Sequence, residues 1–570
     1  MSREQTQIIE QQNKAIYEVS RFFGQSSVDG FDSLNTEHAP QVLKDIFDAV
    51  DTDFHKDIFD SVGYGIEQYK AKNGGEMPNP NVLTAALYAA KQAIGGYKET
   101  HVFDDITNIE HETNAIVPSL AVTTIAAFIS QANPAVAYIP NINGSNLVPI
   151  VAARYVADRT RGAMVEGDYI DGENASLPYV DSHMKFAMAL DTGSTYEVTS
   201  RVAYANYDAK TPNAATDLAP FLPNHVSIRV NGVEVAHSRQ RREEDRKGTF
   251  SLLPTAGVTI GATTYTVTGS TVNFDTHEIV VTFRAALPVG VKAYAHVVLD
   301  FERKDANKIN RLLPLAGLSL KPEYGELLAA PVSFGVSANI NTLTQLANEL
   351  NVSLTAAAMM ALQSKYYLEQ TIRLLSEGRD RAIAQGRSYE FDASRGVTGN
   401  LSAAYNETGQ LVKEALKTIS YAQLVVKQAA GGATGAFDLY VGDTAAVFMR
   451  TLMSDFFKTT NAPYAGYGEI VRIGTLNDGT NVYHAPNASR LCAESDKTSS
   501  MLLVGRGNEV VRNPFVGHIA SPMQVLEAKR DPLEINLAAH ARIAADVNPI
   551  GRYADQVAVI NMINLPSIGI

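Results

Sequence analysis

The sequence contains no tryptophan and a single cysteine, Cys492, among its 570 residues. One cysteine cannot form a disulfide within the chain. A lone cysteine is also more often a small buried apolar residue than a nucleophile. The simplest interpretation is a chain that folds and works in a reducing compartment.

Positive charge and long apolar runs are also scarce. Lys and Arg number 48 against 61 Asp and Glu, so the formal net charge is −13. A protein that gripped phosphate backbones over a large area would carry the opposite sign, which argues against tight binding of nucleic acid. No stretch reaches the ~18 uninterrupted apolar residues of a membrane span, and the N-terminal MSREQTQIIEQQNKAIYEVSRFF lacks the apolar core of a signal peptide. We expect a soluble chain that is not secreted.

Motifs that carry chemistry are few. The sharpest is MALDTGST, in which Asp191 stands where an aspartic protease presents a carboxylate in an Asp-Thr-Gly turn. Such an enzyme needs a second carboxylate to share a proton, and only a symmetric dimer could supply it here. A polar turn between two strands is the favoured alternative. His111 lies between two glutamates, but no His-Glu-x-x-His spacing accompanies it. The sequence therefore predicts no catalytic, cofactor-binding or metal-binding residue.

What the sequence does contain is a change of periodicity along the chain. Its length predicts several packed units, at ~100–200 residues per domain. Residues 1–145 are α-rich, with helical spacing in APQVLKDIFDAV and NPNVLTAALYAAKQAIGGY. Residues 216–307 are nearly pure β, as in HVSIRVNGVEVAHS, which turns at Asn231-Gly232. The pattern predicts an inserted sandwich or barrel, because helical and mixed patterns are found both before and after it.

A long helix is predicted after this β-rich unit. Ser353 is a plausible N-cap, and apolar residues then recur at helical spacing for roughly 30 residues, or about 45 Å. This apolar series is Leu354, Ala358, Leu362, Leu368, Ile372 and Leu375. Further on, FDLYVG predicts a buried strand and DTAAVFMRTLMSDFF a helix capped by Asp443. A helix of this length is typical of a structural support that spans a domain.

A hairpin is predicted in GEIVRIGTLNDGTNVYHAP, residues 468–486. If Leu476 and Thr480 flank a three-residue loop, Ile473 faces Tyr483, and the two strands share one apolar face. Arg472 and His484 would then lie on the opposite face. The pattern predicts a half-buried hairpin.

Several of these segments, in this order, resemble a known family. LSLKPEYGELL, followed by the long helix, resembles the segment that enters the spine helix in major capsid proteins of T-even-like and related tailed bacteriophages. The matching positions are Leu320, Lys321, Tyr324, Glu326 and Leu327. Upstream, NGSNLVPIVAARYVADRTRGAMVEGD is similar to the approach to that family's extended loop. Downstream, DLYVGDTAAVFMRTL and the hairpin resemble the strand, helix and hairpin of its axial domain.

The resemblance implies an α+β chain with the Hong Kong 97-type capsid fold. Residues 1–145 would be an N-terminal arm, and residues 146–215 and 308–340 the two parts of an extended β-loop. The peripheral domain with the spine helix would span 341–430 and the axial domain 431–540. Residues 541–570 would form a C-terminal strand that returns to the peripheral domain. The all-β unit at 216–307 has no counterpart in the minimal fold.

The resemblance also implies a function. A major capsid protein assembles into hexamers and pentamers that form an icosahedral head around double-stranded phage DNA. It would be made in the host cytoplasm and would work with scaffolding, portal and decoration proteins, without cofactor, metal or membrane. A cellular nanocompartment shell of the encapsulin type is the alternative, and a dimeric protease built on Asp191 is a second one.

Overall fold

The structure, a computed structural model, describes most of the chain. The described residues are 3–25, 39–101, 121–204 except 123, 127 and 131, 212–239, 247–304, 311–339 except 314, 354–392, and 408–565 except 461, 467, 468, 496, 532 and 533. The chain forms two compact units. One comprises Met1–Ala152 with Pro322–Ile570, and the other is Ala153–Lys321.

The first unit opens with helices, as the sequence predicts. They are α1 (Arg3–Gln25), α2 (Gln41–Asp48), α3 (His55–Lys72) and α4 (Pro80–His101), and the described residues between 121 and 130 are also helical. Pro80 suits the first position of α4, because its fixed φ is helical and its missing N–H would have no partner there. On α2, the apolar side chains Val42, Leu43, Ile46 and Phe47 are buried at helical spacing. They join a large hydrophobic core that also contains Leu374 and Leu375 of the predicted long helix.

Two strands lead towards the second unit, β1 (Val136–Tyr138) and β2 (Leu147–Ala157). The second unit is built of strands. These are β3 (His183–Ala187), β4 (Ala189–Leu190), β5 (Thr195–Thr199), β6 (Ser227–Val230), β7 (Val233–His237), β8 (Thr249–Phe250), β9 (Leu253–Pro254), β10 (Val258–Ile260), β11 (Thr263–Tyr265), β12 (Val267–Asn273), β13 (Glu278–Phe283) and β14 (Ala293–Val298).

Ten of these strands form two five-stranded sheets, in the orders β4-β5-β13-β12-β8 and β3-β14-β6-β7-β9. Buried and less buried side chains alternate along β13 and β14. One hydrophobic core contains buried residues of both sheets, such as Phe186 and Ile228 from one and Val272 and Ile279 from the other. The unit is therefore a sandwich, in which each sheet buries one face.

The turn predicted inside this unit is confirmed. Asn231 and Gly232 have φ of 49° and 80°, as a two-residue hairpin turn requires, and Val230 pairs with Val233. The sequence placed the start of the unit at residue 216. In the structure β3 and β5, which precede residue 216, pair with β14 and β13, and the compact unit that contains these strands is Ala153–Lys321.

The remaining elements belong mainly to the first unit. They are β15 (Leu318–Leu328), β16 (Ala330–Asn339), α5 (Leu354–Ala384), β17 (Ser388–Asp392), α6 (Thr408–Ala429), β18 (Thr434–Val441), α7 (Asp443–Arg450), β19 (Phe457–Thr459), β20 (Val471–Leu476), β21 (Asn481–His484), β22 (Glu494–Ser495), β23 (Thr498–Gly507), β24 (Phe515–Asp531), β25 (Glu534–Val547), α8 (Gly551–Ala554) and β26 (Val557–Ile563). The main sheet has eight strands. Seven run in the order β17-β26-β23-β18-β21-β20-β19, and β22 pairs with β23.

Two smaller sheets complete the described strands of this part of the chain. One has the order β1-β24-β25-β16, and the other consists of β2 and β15. Two strands lie at predicted domain boundaries. β25 crosses the proposed axial-domain limit at residue 540 without a break. β26, predicted to return to the peripheral domain, pairs on one side with β17, which lies in the range assigned to the peripheral domain, and on the other side with β23, which lies in the range assigned to the axial domain.

The long helix is confirmed: α5 has 31 residues, about 46 Å at 1.5 Å per residue. Its most buried apolar side chains in the described part are Tyr367, Leu374, Leu375 and Ala382. Leu368 and Ile372, expected on the core face, are only half-buried. Gly378 allows close packing, since a Cβ there would lie 2.6 Å from the Phe515 ring.

Candidate functional site

Asp191 lies in an exposed turn. Its backbone N–H donates to the carbonyl of Thr195 at 2.9 Å, and the turn joins the antiparallel strands β4 and β5. Its environment is thus a tight polar turn between two strands, which is the interpretation the sequence favours. His111 lies outside the described residues.

Cys492 is buried, as predicted, with 4% of its surface exposed. Burial raises the pKa of its thiol to about 12, with the nearby Glu494 carboxylate acting in the same direction. The thiolate is the reactive form of cysteine, so this side chain is inert near neutral pH. Within the described parts of the chain, no group of three or more His, Cys, Asp or Glu side chains could hold a metal ion.

The hairpin has the predicted turn. Leu476 and Thr480 flank the loop, the Leu476 N–H donates to the Thr480 carbonyl at 2.9 Å, and Gly479 has φ of 87°. Near the turn, Gly474 pairs with Val482 and Thr475 with Asn481, in the expected register.

Beyond the turn the prediction of one apolar face is wrong. A bulge at Ile473 shifts the register, so Tyr483 pairs with Arg472 instead of Ile473. Ile473 packs in the core beneath α6, whereas Tyr483 packs in the core of the N-terminal helices. β21 is buried on both faces because it lies between β18 and β20 inside the main sheet. The hairpin is thus an interior part of the sheet and not a half-buried one.

Arg472, expected on a polar face, links the hairpin to the N-terminal helices. Its guanidinium donates to the Asn73 carbonyl at 3.0 Å, to the Glu76 carboxylate at 2.8 Å and to the Thr475 hydroxyl at 2.8 Å. The Asn481 amide also donates to Glu76, at 3.3 Å. The loop after α3 is therefore tied to both strands of the hairpin.

A second charged pair lies behind this contact. Asp438 is fully buried, and its carboxylate lies 3.1 Å from the Arg506 guanidinium, an ion pair without hydrogen-bond alignment. The Asn481 amide donates to its other oxygen at 3.3 Å. Burial raises the pKa of the Asp438 carboxyl to about 6, although Arg506 acts in the opposite direction. Periodicity could not predict this network, because its members come from distant segments of the chain. The one local signal is an acidic residue inside the apolar run FDLYVG.

His484 anchors a loop at the other end of β21. Its Nδ1 accepts a hydrogen bond from the Ala465 backbone N–H at 2.9 Å, so its proton is on Nε2, which donates to Asp443 at 2.8 Å. Asp443 is the first residue of α7, and Gly442, not Asp443, is the N-cap. The predicted capping role of Asp443 is therefore wrong, because its carboxylate is used by His484 and by the Asn487 N–H.

Apolar side chains are exposed on the two-stranded sheet of β2 and β15. On β15 they recur at even positions, which places them on one face of the strand: Leu318, Leu320, Tyr324 and Leu328. All four are more than half exposed. On β2, Leu147 and Tyr155 are exposed in the same way, while Ile150 is buried. These strands carry the most regular series of exposed large apolar residues in the described chain.

No described helix is both long enough and apolar enough to cross a membrane. No protein-family model matches the chain, and no curated protein matches it.

Solved structures do resemble it. The jumbo bacteriophage PhiKZ capsid matches 75% of this chain and 91% of its own, with 8% identity and a TM-score of 0.38. The capsid of Myoviridae phage XM1 matches 46% of this chain and 81% of its own, with 14% identity and a TM-score of 0.28. A virus-like particle from Pyrococcus furiosus matches 44% of this chain and 82% of its own, with 7% identity and a TM-score of 0.23. Phage capsids thus recur among the solved structures that the chain is similar to, at low identity.

Proposed function

We propose that this protein is a major capsid protein, which self-assembles into hexamers and pentamers that form an icosahedral head around double-stranded phage DNA. The observation that carries the proposal is the exposed apolar face of β15. A two-stranded sheet is marginally stable by itself, and exposed apolar series on soluble proteins mark contact surfaces. In a shell, neighbouring subunits would cover this face.

The order of the elements supports a Hong Kong 97-type subunit. In this proposal α5 is the spine helix, β2 and β15 belong to the extended loop, and the main sheet provides most of the axial domain. Ala153–Lys321 is then an all-β domain inserted at the extended loop. Such a subunit works through large complementary surfaces that close into rings, and it needs no catalytic site.

Within this proposal the hairpin has a structural role in the axial domain and is not a binding or catalytic element. Its strands are buried in the main sheet, and its turn, Asn477 to Gly479, carries the exposed Asp478. The turn would help to seal a five- or six-fold contact. Scaffolding and portal proteins would direct assembly, and decoration proteins would bind the finished head.

Leu320→Asp tests the proposal. Leu320 is 57% exposed, so the charge should cost the isolated subunit little, whereas it would be buried in every contact of a shell. We expect soluble subunits with normal helix content and few particles by gradient sedimentation and negative-stain microscopy. Ser319→Asp is the matched control, because it adds the same charge to the next, also exposed, position and removes no apolar surface. Failure of the wild-type protein to form anything larger than a dimer, with scaffold co-expressed, would refute the proposal.

The contents of the particles separate the two kinds of shell. A phage head should protect long double-stranded DNA from nuclease, whereas a nanocompartment would contain a cargo enzyme. A protease is the weaker alternative, since Asp191 lies in an exposed turn. Asp191→Ala should therefore leave particle yield unchanged and abolish no peptidase activity.

A further inference from the structure

A small pocket of about 70 Å³ lies inside the first unit, where the end of α3, the helix α5 and the main sheet meet. Its walls include Asn73 beside α3, Asn133, and Tyr367 on α5. The main sheet contributes Tyr440 from β18 and Tyr483 from β21. The pocket therefore lies where α5 meets the loop after α3 and the main sheet, the two parts that Arg472 and Glu76 also connect.

The two tyrosines of the sheet are placed side by side by strand pairing. β18 and β21 are parallel, Tyr440 is opposite Tyr483, and their rings stack with centroids 5.2 Å apart. Each is 1% exposed. Among the described residues, neither hydroxyl has a hydrogen-bond partner. Two adjacent buried hydroxyls thus need partners at one wall of the pocket.

A third buried polar group, the side-chain amide of Asn133 in the pocket wall, also has an unpaired atom. Asn133 is 5% exposed, and its Oδ1 accepts a hydrogen bond from the Ala135 N–H at 2.9 Å. Its Nδ2 has no partner among the described residues. Because unpaired buried donors and acceptors are costly, native proteins rarely leave several of them in one place.

The chemistry of the pocket selects its ligand. Burial, and next the Asp438 carboxylate, raise the pKa of both tyrosines well above the usual value, so both remain neutral hydroxyls. Neutral hydroxyls and an amide offer no charge to an ion, and Lys72 and Glu469 at the wall carry opposite signs. An apolar ligand would leave all three polar atoms unpaired. A small neutral molecule that both donates and accepts hydrogen bonds is required.

We propose that the pocket is a hydration site, in which a few ordered water molecules bridge Tyr440 Oη, Tyr483 Oη and Asn133 Nδ2. The volume is sufficient, because one water needs roughly 10–15 Å³ of such space. The waters would join the end of the N-terminal helical region to the main sheet through hydrogen bonds. This junction is then polar and water-mediated, although Tyr440 and Tyr483 belong to the largest apolar core among the described residues.

A density map of the full chain, as assembled particles or as free subunits, tests the proposal directly. At a resolution that shows buried water elsewhere, we expect peaks at roughly 2.7–3.0 Å from both hydroxyl oxygens. A pocket without peaks in such a map would overturn the proposal.

Thermal unfolding of Tyr483→Phe gives an independent test in solution, because the direction of the change in melting temperature depends on whether the pocket is hydrated. If the hydroxyl binds water, its removal breaks hydrogen bonds and the melting temperature falls. If the pocket is dry, its removal relieves an unpaired buried group and the melting temperature rises, which would contradict the proposal. Tyr179→Phe is the control for lost hydrogen bonds, because that hydroxyl donates directly to Asp158 at 2.8 Å or to the Gly317 carbonyl at 2.7 Å.

Discussion

At the scale of single residues, two positions in and around the hairpin show how much can depend on one side chain. Gly479 ends the β20–β21 turn with φ of 87°, a backbone conformation that β-branched residues resist. Asp438 carries a carboxyl group that is fully removed from water. The first position concerns the shape of an exposed loop, and the second concerns the charge state of the interior.

Gly479→Val should damage assembly more than it damages the subunit. A Cβ at this position would meet no atom within 4 Å, so the cost is conformational and on the order of 1–3 kcal/mol. A large unit tolerates this, but a displaced turn would be repeated at every ring contact of a shell. We expect soluble subunits with near-normal melting temperature and a low particle yield in gradient sedimentation.

Gly479→Asn is the matched control, because asparagine accepts positive φ more readily than other residues. It should keep most of the particle yield. Normal yield of the valine variant would show that the turn is not at a ring contact, and unfolded subunits would show that the conformational cost was underestimated.

Asp438→Asn should change how stability depends on pH. The unfolded carboxyl titrates near 3.8 and the folded one at about 6, so the native state binds this proton more tightly. Protonated Asp438 therefore makes its whole contribution to the free energy of unfolding below about pH 4. That contribution is lost as the pH rises through about 6. Asparagine removes this dependence, so the variant should gain roughly 2–3 kcal/mol relative to wild type between pH 4 and pH 7.

Urea unfolding of free subunits across that pH range measures the difference. Asp455→Asn is the control for removing one acidic residue from the surface, since Asp455 is exposed. A constant difference between Asp438→Asn and wild type at all pH values would show that Asp438 is ionised throughout, stabilised by Arg506.

At the scale of elements, strand pairing defines what can fold alone. The strands β3 and β5 precede residue 216, yet they pair with β14 and β13, which are the ends of the β-rich pattern. A fragment of residues 216–307 would expose the edges and part of the core that these strands cover. All ten strands of the two sheets lie within the compact unit Ala153–Lys321.

The fragment 153–321 should therefore fold, whereas 216–307 should not. We expect a β-type circular dichroism spectrum and a cooperative thermal transition from the longer fragment, and a largely unfolded or aggregated shorter one. Cooperative unfolding of the shorter fragment would show that the strands before residue 216 are dispensable. The single change Val281→Asp, in the shared core, should abolish the transition of the longer fragment.

Local patterns predicted local structure well. The length of α5, the turn at Asn231-Gly232 and the burial of Cys492 all follow from spacing and residue type. The register slip at Ile473 did not, since a bulge depends on packing against two different cores. The partnership of Arg472 with Glu76 and of Asp438 with Arg506 was also hidden, because pairwise contacts between distant segments leave no periodic signal.

At the scale of the whole molecule, the net charge of −13 per chain should oppose the proposed self-assembly. Many like-charged subunits repel one another. The distance over which this repulsion acts, the Debye length, falls from ~30 Å at 0.01 M ionic strength to ~8 Å at 0.15 M. We expect the yield of particles from purified subunits to rise over this range of salt. Sodium chloride and potassium chloride at equal ionic strength should act alike, and a yield that falls with salt would indicate that attraction between opposite charges dominates the contacts.

The position of β26 has a consequence for biosynthesis. This strand lies between β17 and β23 in the main sheet, although it follows both in the chain. During translation, β17 has no neighbour on the β23 side until residues 557–563 have left the ribosome. The main sheet of a nascent chain therefore stays incomplete until synthesis is nearly finished. Domains dominated by such distant strand pairings also fold slowly. Prematurely terminated polypeptides would lack this strand and could not complete the main sheet, so under the proposed function the fold itself would exclude unfinished copies from a shell.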